Sequence, residues 1–372
     1  MSLVKFYTII REKRKIYSYY WYKFKLLIKS EFFRKLRSDE RFWTKEWVPK
    51  KGKNLQTAKR RLSTKRKQLP ISSKKGKKYI WASIIRDENH GNYLIEYCLK
   101  RILQLPKPDL VVNVLQNEFP HKLDGYQFIV NPGTTTLYQD PKVDVAFQKF
   151  KHGTIPIICF GASVWYRNGW SKLEDENELV QVAKKMQYPI GCRDPFTYDL
   201  LQHNDIESEF IGCPTLFCQD NTIPGGHIAF SFGRGNIPDQ IRFLQHLSKI
   251  QNVKVLIHET KEERCCQDLK VEIVKDLSQF LKVYYGAKCV ITGRLHGALP
   301  GISVNKPVFY FQGVPNFDSR LTLLSYLGLP IWTIDEMYCV DMSAIEYDFS
   351  KVVHLKESFS NYVKKFKEYF EL

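Results

Sequence analysis

One stretch constrains the fold more than any other: residues 289–311, CVITGRLHGALPGISVNKPVFYF. A β-branched run, Val290-Ile291-Thr292, ends at Gly293. Arg294 and His296 follow, then a Leu/Ile-spaced segment and a second apolar run over 307–311. Strand, turn, helix, strand is the unit of a parallel sheet, because parallel neighbours need a long crossover. Pro300 is tolerated in the first turn of a helix but not in its interior. The helix is therefore expected to start close to Pro300, with Arg294 and His296 at its N-terminal mouth. Free backbone N–H groups and the positive dipole end suit an anion there. An arginine and a histidine beside them make an anion site with a proton donor.

The same alternation runs through the chain from residue 79. Strands are expected at 79–85, 110–115, 128–130 and 155–160, the last two closing on the turns NPGTTT and GAS. Helical spacing covers 94–105, 176–187 and 196–201, and a short strand is expected at 209–211. The turn composition of NTIPGG, 221–226, marks a boundary. A second unit follows, with a strand at 228–232, a helix at 239–250, a strand at 253–258 and a helix at 269–277, before the opening stretch. Two doubly wound units, 79–225 and 226–345, then face each other across a cleft, with ligands at the carboxyl ends of the strands. The tail, 346–372, reads as a helix docked on this body, its apolar positions running from Val352 to Phe370.

Charge separates the first 78 residues from the rest. The 372-residue chain carries a net charge of +18, yet residues 1–78 hold 26 Lys and Arg against 5 Asp and Glu, leaving 31 against 34 for the remainder. The body is near neutral, and a basic N-terminal extension and linker holds the excess. Cations alternate there with aromatics such as Tyr17, Trp21, Phe24 and Trp43, a composition suited to the headgroup region of an anionic bilayer. Peripheral attachment at the inner membrane face is the favoured reading; packing of the extension on the body is the other, and nucleic acid is not the expected partner. Nine cysteines without a CxxC pair indicate reduced thiols rather than disulfides or zinc. With no span-length apolar stretch and no signal-like core, a cytoplasmic protein is expected.

Several chemistries are missing from the sequence. There is no P-loop, no GxGxxG, no GxSxG and no metal-ligand spacing, so no metal or cofactor is expected; Gly233-Arg234-Gly235 is too short for dinucleotide binding. What remains is arginine placed after strands. Arg193 follows Gly191-Cys192 in one half and Arg294 follows Gly293 in the other, so the two could converge on one dianion across the cleft. Asp194 is placed to cap the next helix or to pair with Arg193. His296, two residues from Arg294, is the candidate proton carrier. His90, His203, His227, His246 and His258 read as ordinary packed or surface histidines.

The segments TGRLHGALPGISVNKPVF, GCRDPFTYDLL, FIGCPTLF and NHGN together resemble the polysaccharide pyruvyl transferase family over about 79–329. The resemblance implies a GT-B-like pair of Rossmann-like domains. It also implies transfer of a pyruvyl group from phosphoenolpyruvate to two hydroxyls of a sugar, giving a ketal on an exopolysaccharide or cell-surface glycan. Phosphoenolpyruvate and a glycan or lipid-linked sugar are then the partners. The family's arginines and histidine fall on Arg193, Arg294 and His296, the last as the acid. Asn92 stands where many members carry Asp. The lysine that some members place after the histidine is unmatched; Arg320 is the preferred substitute and Lys306 the other. A GT-B-type glycosyltransferase using a nucleotide sugar is the alternative.

Overall fold

The computed structural model describes residues 77–84, 89–113, 123–137, 155–164, 183, 186–218, 225–235, 237–312, 318–340, 342 and 349–372. Residues 1–76 of the extension lie outside that set, as does most of the helix expected over 176–187. Residues Lys77–Leu372 form one compact unit.

Its first sheet is built from β1 (Tyr79–Ser83), β2 (Leu110–Asn113), β3 (Phe128–Asn131), β4 (Thr134–Leu137), β5 (Ile157–Val164), β6 (Ile190–Cys192) and β7 (Ser208–Phe210). All pairings are parallel, in the order β2-β1-β3-β5-β6-β7 with β4 beside β5. The second sheet holds β8 (His227–Ser231), β9 (Val253–Leu256), β10 (Glu272–Val274), β11 (Ala287–Thr292), β12 (Val308–Gln312) and β13 (Ile331–Thr333). These are parallel too, in the order β10-β9-β8-β11-β12-β13. Every residue of β1, β5 and β8 is buried, which is why these strands read as unbroken apolar runs. The chain order reverses between β8 and β11, the switch point where such sheets open a crevice at their carboxyl ends.

Two helices and two direct hydrogen bonds bring the lobes together. Helix α1 (His90–Leu103) is capped by Asn89, whose side chain accepts from Gly91 N, and is tied to β1 by the buried Glu96. That carboxylate accepts from Trp81 Nε1 (2.8 Å), Ser83 Oγ (2.7 Å) and Ile84 N (3.0 Å). At the far end of the unit, the chain's last helix, Ser350–Phe370, returns from the second lobe to the first. Its Phe359, Tyr362, Phe366 and Phe370 are buried in the same core as Phe128 and Phe160 of the first sheet. Between them, Ser319 Oγ donates to Val164 O (2.6 Å) and His90 N to His258 O (3.1 Å), direct bonds from one lobe to the other.

Four local expectations are corrected. Gly161-Ala162-Ser163 does not turn: β5 continues through it, with a register shift between Phe160 and Ala162 at Gly161, φ +104°. Most of NPGTTT is not loop either, since Thr134–Leu137 is β4. Over 269–277 there is no helix; Ile273-Val274 joins a strand, and the helix begins only at Leu277, capped by Asp276 on Ser278 N (2.9 Å). Finally, the helix after β11 spans Leu295–Ser303 with Arg294 at its N-cap, so Pro300 is interior. One backbone bond is lost to that proline. Burial of all seven residues from Gly297 to Ser303 outweighs it, with Gly301 set so tightly on β11 and β12 that a Cβ would stand 2.7 Å from Val290 Cγ2.

Candidate active site

The candidate side chains gather where the two sheets present their carboxyl ends. Arg193 leaves β6 with its backbone N–H on Ala162 O (2.8 Å) and is only 2% exposed. Its Nε lies 3.8 Å from Asp194 Oδ2, and neither Nε nor Nη2 makes a hydrogen bond. Asp194 itself caps helix α2 (Pro195–His203). Its Oδ1 accepts from Thr197 N (2.9 Å) and Thr197 Oγ1 (2.8 Å), and Oδ2 from Ser163 Oγ (2.6 Å). Burial pushes the Asp194 carboxyl up, and Arg193 and these donors pull it back.

From the second lobe, Arg294 follows β11 and is turned toward two glutamates. Its Nη2 is 2.9 Å from Glu259 Oε1 and also binds Glu262 Oε1, while its Nε is buried without a partner. Arg320 is clamped by Asp318, through Nε to Oδ1 (2.7 Å) and Nη2 to Oδ2. The half-buried His296 lies between these cations, its Nε2 fully buried and without a hydrogen-bond partner. Burial first, then the charges of Arg193, Arg320, Arg294 and Arg234, hold this imidazole well below the usual histidine range. It is therefore neutral near pH 7.

Glycines let the pieces approach. Gly91 of α1 backs onto His296: a Cβ there would lie 3.0 Å from His296 Nδ1. Gly233 and Gly293, after β8 and β11, touch at the switch point, where a Cβ on Gly293 would stand 2.4 Å from Gly233 Cα.

Of the residues named from sequence, Arg193, Arg294, His296 and Arg320 come together. Asn92 does not join them: its Nδ2 donates to Ile84 O (2.7 Å), binding α1 to the end of β1. Lys306 lies at the opposite end of the second sheet, before β12, where its charge acts on His227 at the start of β8. Sequence reading missed Arg234, which follows Gly233 after β8 as Arg294 follows Gly293 after β11; that shared Gly-Arg placement was the available signal. It also missed Glu259, Glu262 and Tyr310, whose hydroxyl donates to Gly293 O (3.2 Å). Among the described residues, no group of three or more His, Cys, Asp or Glu is placed to hold a metal ion. None of the described helices is long and apolar enough to cross a membrane.

Comparison with solved structures shows the fold. The S. aureus MnaA protein in its UDP co-structure aligns with a TM-score of 0.56 at 13% identity, covering 80% of this chain and 97% of that one. A putative UDP-N-acetylglucosamine 2-epimerase from Listeria monocytogenes aligns with a TM-score of 0.53 at 10% identity over 80% and 97%. The UDP-GlcNAc 2-epimerase of Methanocaldococcus jannaschii gives 0.51 at 11% identity over 79% and 100%. At such identities the likeness concerns architecture alone, and it establishes the GT-B-like arrangement of two Rossmann-like lobes. A search of curated proteins found no match. The sequence profile described as polysaccharide pyruvyl transferase matches residues 89–312, more than half of the chain, and covers Arg193, Arg294 and His296 but not Arg320. The chain belongs to the polysaccharide pyruvyl transferase family.

Proposed function

We propose that the protein transfers a pyruvyl group from phosphoenolpyruvate to two hydroxyls of a glycan or lipid-linked sugar, forming a ketal and releasing phosphate. The observation that carries this reading is the open edge of Arg193, buried yet with Nε and Nη2 both lacking a hydrogen bond. A desolvated guanidinium edge of this kind is matched by a carboxylate or phosphate in two parallel bonds. Phosphoenolpyruvate carries one of each, and Arg294 and Arg320 supply cationic partners for the second anionic group.

The depressed His296 gives the chemistry its order. Before substrate binds, burial and then the neighbouring arginines keep the imidazole neutral. The anionic substrate offsets their charge and lets His296 take up a proton. The imidazolium then protonates C3 as a sugar oxygen bonds to C2, and the sugar's hydroxyl proton passes to solvent. Loss of phosphate breaks the C2–O bond, the second hydroxyl closes the ketal, and its proton departs with phosphate. General acid catalysis of this kind contributes roughly 10²-fold to 10⁴-fold.

The acceptor is expected at the inner face of the cytoplasmic membrane, reached through the basic and aromatic extension 1–78. Incubation with phosphoenolpyruvate and candidate glycosyl lipids tests the reaction. Phosphate release matched by a mass gain of one pyruvate ketal supports it. Stabilisation by UDP and not by phosphoenolpyruvate, with no phosphate released, overturns it. Deleting 1–78 should leave turnover of a soluble acceptor intact and abolish sedimentation with phosphatidylglycerol vesicles.

A further inference from the structure

Arg294 is held by two carboxylates, and the two differ in kind. Glu259 is part-exposed, whereas the Glu262 side chain is 1% exposed. Glu262 is also fixed from behind: its Oε2 accepts from His258 N (2.8 Å) and Glu259 N (3.3 Å). These bonds belong to a capping box on the short helix Thr260–Arg264, in which Glu259 is the N-cap and Glu262 the third residue. A carboxylate tied to the backbone does not follow a guanidinium; the guanidinium follows it.

We infer that Glu262 is a positioning residue for the anionic donor, holding Arg294 by Nη2 so that its remaining donors face the cleft. This rests on the phosphoenolpyruvate reading above. Two features of the geometry support it. Oε1, the oxygen not needed for the cap, is the one that binds Arg294, so the residue does more than terminate a helix. Nε of Arg294 stays buried and without a partner, a donor left for a ligand once Nη2 is committed. A lysine at 294 would have only one nitrogen, already drawn to the two glutamates. Arg294→Lys should therefore bind the donor as weakly as Arg294→Ala.

A double-mutant cycle in the full chain decides the matter, with phosphoenolpyruvate affinity read by calorimetry and kcat and KM measured for both substrates. Glu262→Gln should weaken phosphoenolpyruvate binding about 10-fold to 100-fold while leaving the acceptor KM unchanged, as expected when one partner of a buried charged pair is lost. In the Arg294→Ala background the same change should have no further effect on phosphoenolpyruvate binding. An additive loss in that background, or wild-type affinity in the Glu262→Gln variant, overturns the inference. Wild-type protein that binds no phosphoenolpyruvate refutes the functional reading, and the positioning role with it. Should Glu262→Gln fail to fold, Glu262→Asp, which keeps the charge but draws it back from Nη2, takes its place in the cycle; additivity there overturns the inference equally.

Discussion

The buried pair at Arg193 and Asp194 offers the sharpest test of the site's construction. Asp194→Asn preserves size, and asparagine caps helices about as well as aspartate. Its amide oxygen can keep both bonds from Thr197. Ser163 loses an acceptor at Oδ2 but has the carbonyl of Val164 at 3.4 Å as another. What the substitution removes is therefore the negative charge 3.8 Å from Arg193 Nε. With an effective dielectric of about 20, a pair at that separation is worth about 4 kcal/mol. Loss of one partner from a buried pair typically costs about 3 to 5 kcal/mol, because the other charge is stranded. A fall of about 4 kcal/mol in unfolding free energy is expected, seen as a lower urea midpoint at unchanged slope. Asp194→Ala should cost about 1 kcal/mol more through the lost cap. Phosphoenolpyruvate should stabilise the Asn variant more than the wild type, since it supplies the missing anion. A loss under about 1 kcal/mol would refute the reasoning, showing that Asp318, whose charge also reaches Arg193, balances it alone.

His296→Gln should retain phosphoenolpyruvate binding and lower kcat roughly 10²-fold to 10⁴-fold, measured as phosphate release. His258 and His296 are both held well below the usual histidine range, by burial first and neighbouring cations second. The unfolded chain therefore takes up protons in acid that the folded chain refuses, so stability is lost as pH falls through about 6.5. Urea unfolding at pH 7.5 and 5.5 should show that loss, and His258→Gln should reduce it. Gly293→Ala would drive a Cβ into the Gly233 backbone at 2.4 Å, which no side-chain rotation relieves; overpacking of about 1 to 3 kcal/mol and loss of turnover should appear in melting and activity assays.

Much of this architecture is legible locally. A parallel strand buried on both faces reads as an apolar run, so β1 and β8 announce themselves, and the arginine after Val290-Ile291-Thr292-Gly293 is seen at once to lie at a strand's carboxyl end. Cys192-Arg193-Asp194-Pro195 likewise contains its own cap and helix start. Pro300 misled because local backbone cost was weighed without the burial that offsets it. Gly161 misled because glycine marks a bulge within a strand as well as a turn after one.

The chain by itself determined the alternation of strands and helices, the separation of a basic extension from a neutral body, and the candidates Arg193, Arg294 and His296, because periodicity and charge are written in neighbouring residues. Tertiary structure alone decided which of them share a space. Burial, with the charges of arginines from positions 193, 234, 294 and 320, holds one imidazole neutral. Glu262, thirty-two residues before Arg294, becomes its fixed partner. Burial and through-space charge set both outcomes, and neither falls off with distance along the chain.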